Sequence, residues 1–374
     1  MKRFIAAVFA VTFALNVNAQ EEKKDFPYTF SVVKDNGSTE TKDQCNTGTC
    51  WSYATASFIE SEVMRMGNGE HNLSEMFNVR MTYPKKAETY VRYQGKAQFS
   101  AGSLSHDVIN AIRDYGVVPE SVYDGLNDDA KRHDHGEMDA MLVGMVKSVV
   151  EKNRGNISGN WDDAVAAVLD VYLGEIPEEF DYNGKSYTPA SLRDELGIVA
   201  DDYVNLSSFT HHPFYSDFIL EVPDNFSQGS FFNVTLDELT ASVKNALNAG
   251  YTVAWDADVS EKGFSFTNGM AILPAEGVKK GQLFKEVIEE AKVTQETRQA
   301  GFDTFKTTDD HLMHLTGIAK DQNGKEYFII KNSWGTGNEF DGHQYISMEY
   351  FKMKTISVMM HKDALSKDLA KKMK

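Results

Sequence analysis

The chain has 374 residues, a formal net charge of −17, 41% apolar residues and 25% charged ones, a soluble globular composition with length for one large domain or two packed lobes. An acidic surface of that size argues against nucleic acid and anionic membrane as partners. The two cysteines, Cys45 and Cys50, lie five residues apart; a bridge between them closes too small a loop to act as scaffold, which leaves a reactive thiol as the alternative.

Lys2 and Arg3 precede an apolar run from Phe4 to Leu15, and Val17-Asn18-Ala19 supplies the small residue that signal peptidase requires. Residues 1–19 therefore read as an export leader, directing the protein to the periplasm or outside in a bacterial cell. The run is shorter than the roughly 20 apolar residues of a membrane span, and Glu21-Glu22-Lys23-Lys24 ends it abruptly. Residues 20–43 read as an extended polar segment. Cys50 then opens a helix with Trp51, Ala54, Phe58 and Ile59 on one face and Gly67 as its stop. A second helix follows Asn72-Leu73-Ser74-Glu75, with Asn72 as the expected cap, and a third runs from Ser105 to Tyr115-Gly116. Between 126 and 250 the pattern is mixed. Helices are expected at 137–152, 161–173 and Leu236–Leu247, around a Pro- and aromatic-rich stretch from His211 to Phe232.

From Tyr251 the period changes to two. Val253–Val259, His311–Ala319, Tyr327–Lys331 and Gln344–Met348 read as strands, and Asp321-Gln322-Asn323-Gly324-Lys325 as a hairpin turn. The expected architecture is α+β, a helical lobe (about 44–125) facing an antiparallel sheet lobe (about 251–355). A tail, 356–374, follows, with His361–Lys374 expected as a basic amphipathic helix.

A thiol attacks well only as thiolate, and the start of a helix favours the anion. Cys50 has that position. It also needs an imidazole as base and proton donor, and N–H donors for a tetrahedral oxyanion. Gln44, six residues upstream across a turn containing Gly48, is a candidate donor.

Gln44-Cys45-Asn46-Thr47-Gly48-Thr49-Cys50-Trp51-Ser52-Tyr53-Ala54 resembles the nucleophile segment of papain-like cysteine peptidases. Asp310-His311-Leu312-Met313-His314-Leu315-Thr316-Gly317 resembles their histidine strand, and Ile330-Lys331-Asn332-Ser333-Trp334-Gly335-Thr336-Gly337 their asparagine segment. Leu73-Ser74-Glu75 is similar to the start of the next helix. The resemblance implies a two-lobe papain-like fold acting on peptides without cofactor or metal: Cys50 as nucleophile, His311 as base, Asn332 as its orienter and Gln44 as oxyanion donor. It also implies that Trp334 shields the His–Asn pair. Ala101-Gly102-Ser103 sits where the family binds substrate backbone, with one glycine remaining. His311 follows Cys50 by 261 residues, against roughly 130–150 in papain itself, so a large segment, placed at about 126–250, is inserted. The bleomycin hydrolase and aminopeptidase C branch carries a mainly helical insertion of this kind. That branch implies an aminopeptidase, a possible hexamer, and a C-terminal arm that enters the cleft. The Lys-rich end here does not closely match such an arm.

Other readings stand beside these. Cys50 as an inert core thiol is disfavoured by Gln44, Gly48 and Trp51 around it, whereas Cys45 is read as merely packed nearby. His311 and His314 compete as base; on a strand they point to opposite faces, and the spacing to Gly317 favours His311. No third ligand turns them into a metal site. His133 and His135, His106, and His211-His212 are read as structural or surface residues. Asp256 and Asp258 share one strand face and would either contact a substrate amine or form an ordinary polar face. An endopeptidase, a non-catalytic peptide-binding protein on the same fold and a transglutaminase-like acyltransferase are the alternative functions. The leader makes a direct prediction: the exported protein begins at Gln20, which N-terminal sequencing will show, and retention of Met1 on exported material would overturn it.

Overall fold

The computed structural model describes residues 26–127, 130–152 and 155–373; the leader lies outside them. Strand β1 (Phe30–Asp35) comes first, followed by helices α1 (Cys50–Arg65), α2 (Glu75–Arg92) and α3 (Ser105–Tyr115). Helices α4 (Gly136–Lys152) and α5 (Asn160–Leu173), a small hairpin of β2 (Phe180–Tyr182) and β3 (Lys185–Tyr187), and α6 (Pro189–Glu195) extend this helical part. Strands β4 (Tyr203–Ser207), β5 (Asp217–Ile219) and β6 (Ser230–Asn233) lead into α7 (Leu236–Asn248) and β7 (Val253–Ala257). The remainder is β8 (Phe264–Ser265), β9 (Met270–Ala271), α8 (Gln295–Asp303), β10 (His311–Asp321) and β11 (Glu326–Lys331), then β12 (His343–Ser347), α9 (Met348–Lys354), β13 (Thr355–His361) and α10 (Lys367–Lys372). Among the described residues no helix is long and apolar enough to cross a membrane.

One sheet organises the molecule. Its order is β5-β6-β4-β13-β7-β10-β11-β12-β9-β8, with β1 also on β10. The pairs are antiparallel except β4–β6 and β9–β12. Alternation along the central strands sorts side chains onto two faces. Ala254, Leu312, Ile356 and Met359 join the core of α1 to α5. Val253, Trp255, Met313, Leu315 and Val358 join α7 on the other face. Helix α1 is thus enclosed between the sheet and the other helices, and 14 of its 16 residues are buried. That enclosure explains why its apolar stripe is not sharply one-sided.

Three expectations are corrected. The cap of α2 is Ser74, whose hydroxyl accepts from Phe77 N–H at 2.9 Å, not Asn72. The reason is local: Leu73 N–H is held by the buried Glu60 carboxylate at 2.7 Å, which keeps the backbone extended one residue further. The tail does not begin at 356. Residues 355–361 form β13, buried throughout because β4 and β7 pair with it on either side. Among the described residues of the expected terminal helix, Lys367–Lys372 is α-helical and Lys362–Ala364 forms a 3-10 turn. The segment 126–250 is mixed and mainly helical, as expected, and its strands join the main sheet: β4 and β6 carry it outward, and β5 is its edge.

Phe58, fully buried at the middle of α1, packs edge-on against Tyr203 and His314 at centroid distances of 5.4 and 6.2 Å. Phe58→Ala is expected to lower unfolding free energy by about 3–5 kcal/mol, measurable as a lower urea midpoint at unchanged m-value. A loss below about 1 kcal/mol would show that α1 is not the central wedge.

Candidate active site

Cys50 is the first residue of α1. Thr49 precedes it with no side-chain cap, and its carbonyl accepts from Ser52 N–H at 2.9 Å and Tyr53 N–H at 3.2 Å. The uncapped N-terminus of this buried helix is therefore directed at the thiol. The loop before it is tightly held. A Cβ on Gly48 would lie 2.6 Å from that of Ala101, so only glycine permits the approach, and Trp51 Nε1–H donates to Ala101 O at 3.0 Å. Gln44 is buried, with N–H to Ser333 O at 2.8 Å and Oε1 accepting from Ser333 Oγ at 2.6 Å. Its Nε2 donates one hydrogen to Thr47 O at 2.8 Å, leaving the second amide hydrogen for another acceptor. Cys45 has φ 57° and is partly exposed, with its N–H on Asp43 Oδ1 and its Sγ near Asp43 O.

His311 opens β10 and Asn332 follows β11. The imidazole Nε2 lies 2.8 Å from Asn332 Oδ1. Which atom of that amide is oxygen is fixed by the backbone: Ser333 N–H donates to it at 2.7 Å, and Asn332 Nδ2 donates to Gln344 Oε1 at 2.7 Å. An oxygen there requires His311 Nε2 to carry the hydrogen, so the neutral ring presents its lone pair on Nδ1. Trp334 stacks on the imidazole at a centroid distance of 4.6 Å, and Phe264 and Phe266 meet Trp334 edge-on. His314 points the other way, into the core, with Ser57 Oγ 2.8 Å from its Nδ1.

Burial dominates the electrostatics. It pushes the Cys50 thiol up to about 12; the Leu312 backbone N–H opposes this, and the carboxylates of Asp309, Asp256 and Asp224 add to it. Burial also lowers His311 to about 4, against the favourable contact with Asn332 and the charge of Asp310. Burial thus pushes each group toward its uncharged form.

The expected backbone-binding segment is only partly free. Ser103 Oγ donates to Asp107 Oδ2 at 2.6 Å, serving the start of α3. The Gly102 carbonyl accepts from the buried Lys86 ammonium, and the Asp224 carboxylate lies over its Cα. His211 and His212 both reach Glu221, at 3.0 and 2.6 Å. Gln299 Nε2 donates to His211 Nδ1 at 3.0 Å while Gln299 Oε1 accepts from Thr210 N–H, so His211 turns an N–H, not a lone pair, toward the carboxylate. Gln344, Ser333 and the Leu312 N–H were not singled out from sequence. Gln344 is brought to Asn332 by the β11–β12 pairing, which leaves no local mark.

The Peptidase C1-like family model matches residues 90–374, a span that includes His311 and Asn332 and begins after Gln44 and Cys50. Aminopeptidase G of Lactobacillus delbrueckii subsp. lactis is 23% identical over 369 residues, 87% of this chain and 82% of its own length. Aminopeptidase C of the same organism is 21% identical over 397 residues, covering 94% and 85%. The crystal structure of PepW from Lactobacillus rhamnosis HN001 superposes with a TM-score of 0.71 at 19% identity, over 92% of this chain and 84% of that one. With the family model spanning most of its length on a matching fold, the chain belongs to the Peptidase C1-like family and is a cysteine peptidase.

Proposed function

We propose that the protein is an aminopeptidase in which Cys50 is the nucleophile, His311 the base, Asn332 its orienter and Gln44 an oxyanion donor. The observation that carries this reading is the paired acceptance at Asn332 Oδ1, from His311 Nε2 and Ser333 N–H, because it fixes the tautomer that a base needs. Relatives named aminopeptidase G and C support the exopeptidase part.

With burial favouring the neutral thiol and imidazole, attack is general-base assisted. His311 Nδ1 takes the Cys50 proton as sulfur bonds to the substrate carbonyl carbon. The oxyanion draws on the Cys50 N–H and the second Gln44 amide hydrogen. The C–N bond breaks as His311 returns the proton to the leaving amine. Water, deprotonated by the same nitrogen, then cleaves the thioester and frees the thiol. Trp334 keeps bulk water from the His–Asn hydrogen bond. Helix α10 is tied to α7, with Lys372 bonded to Glu238 and Leu369 packed in the α7 core.

Cys50→Ala is expected to reduce hydrolysis of an aminoacyl-coumarin by at least about 10³-fold with unchanged thermal melting; equal turnover in variant and wild type would end the nucleophile assignment. The raised thiol predicts slow alkylation of Cys50 by iodoacetamide at neutral pH. Because the group lies below its pKa, thiolate and hence the rate should climb about tenfold per pH unit from 7 to 9. A rate already level across that range would mean a thiolate–imidazolium pair instead.

A further inference from the structure

A peptidase that acts on free N-termini must recognise an ammonium group, and the structure places buried carboxylates beside Cys50 for which catalysis has no use. Asp256 shares a sheet face with Ala254, whose side chain joins the α1 core, and pairs with Leu312, the neighbour of His311. It is 2% exposed and accepts from Ser357 Oγ at 3.3 Å. Asp309, two residues before His311, hydrogen-bonds Asp256 carboxyl to carboxyl, a contact that needs a proton on one of the two, and burial pushes both above the usual carboxylate range. Asp224 comes from the loop before β6. Gln98 Nε2 and Ser100 Oγ hold it at 2.6 and 3.2 Å, and its Oδ2 lies 1.8 Å from where a Cβ on Gly102 would be. It therefore covers the open face of Gly102. The cation facing this group from the helical side, Lys86, gives its hydrogen to the Gly102 carbonyl. Asp107 and Asp139 act on Lys86 from α3 and α4.

We propose that Asp224, with the Asp256–Asp309 pair, forms a cation subsite next to Cys50 that binds the protonated N-terminal amine of the substrate and limits removal to one residue at a time. The proposal rests on the aminopeptidase reading above and adds the residues that produce it. A buried carboxyl pair that holds one proton keeps a negative charge that is costly to leave uncompensated, and an ammonium compensates it. The three carboxylates also raise the Cys50 thiol, so an ammonium docked among them offsets that field and eases thiolate formation during attack.

The same chemistry admits a second cation source, a Lys or Arg side chain one residue upstream of the scissile residue, and the test separates the two. Rates are compared for free aminoacyl-coumarin, its N-acetyl form, and N-acetyl-arginyl- and N-acetyl-leucyl-aminoacyl-coumarin, with wild type, Asp224→Asn and Asp256→Asn. The expected result is a wild-type preference for the free amine that falls at least about tenfold in Asp224→Asn, at unchanged melting temperature. A preference for the free amine that both variants retain would overturn the subsite and leave the aminopeptidase reading intact. A wild-type preference for the blocked arginyl substrate, lost in the variants, would support the cation subsite and reject the aminopeptidase reading. Indifference of wild type to either cation would overturn both. Calorimetric binding of leucine amide against N-acetyl-leucine amide to Cys50→Ala, with and without Asp224→Asn, gives the same ratio without turnover.

Discussion

The enclosure of α1 is the constraint on which the site depends. A helix buried on 14 of 16 positions has no freedom to slide, so its first residue is fixed against the sheet to within the tolerance of close packing. Helix and histidine strand are about 260 residues apart in the chain, yet Phe58 and Ser57 meet His314 from α1. This packing on one face of β10 sets the height at which His311 emerges at the strand's start. Ser333 on Gln44 and Trp51 on Ala101 then lock the loops on either side.

The same enclosure sets the electrostatics. Under the site lies a buried set of charges: Lys42 bonds Glu75 at 2.7 Å, Lys331 bonds Thr39 at 3.0 Å, and Thr39 donates to Glu60. Desolvation raises Glu75 to about 7 and lowers Lys331 to about 8. Such groups are tolerated because each has a partner; deleting one leaves the other uncompensated. The active pair follows the opposite course. Thiol and imidazole have few charged partners of the right sign, so burial pushes each toward its neutral form.

Local signals proved legible where local physics governs. The helices over 50–65, 105–115, 160–173 and 236–248 follow from their apolar spacing and from Gly67 and Gly116 beyond the first two, both at positive φ. The hairpin at 321–325 follows from Asn323-Gly324. Signals failed where a distant partner overrides them. Ser74 rather than Asn72 caps α2 because Glu60 holds Leu73. Thr355–His361 is a central strand because neighbours on both sides bury it. Asp256 was recognisable as a polar residue on a strand face, but not as the partner of Asp309.

By itself the sequence determined the family-like order of Cys50, His311 and Asn332, the α+β layout, and the opposite facing of His311 and His314, because strand alternation is a property of the backbone. Tertiary structure decided the rest: the tautomer of His311, through the Ser333 N–H on Asn332; the burial that pushes Cys50 up and His311 down; and the carboxylate lying over Gly102. Hydrogen-bond partners and desolvation depend on which distant segments meet, and no spacing along the chain encodes that meeting.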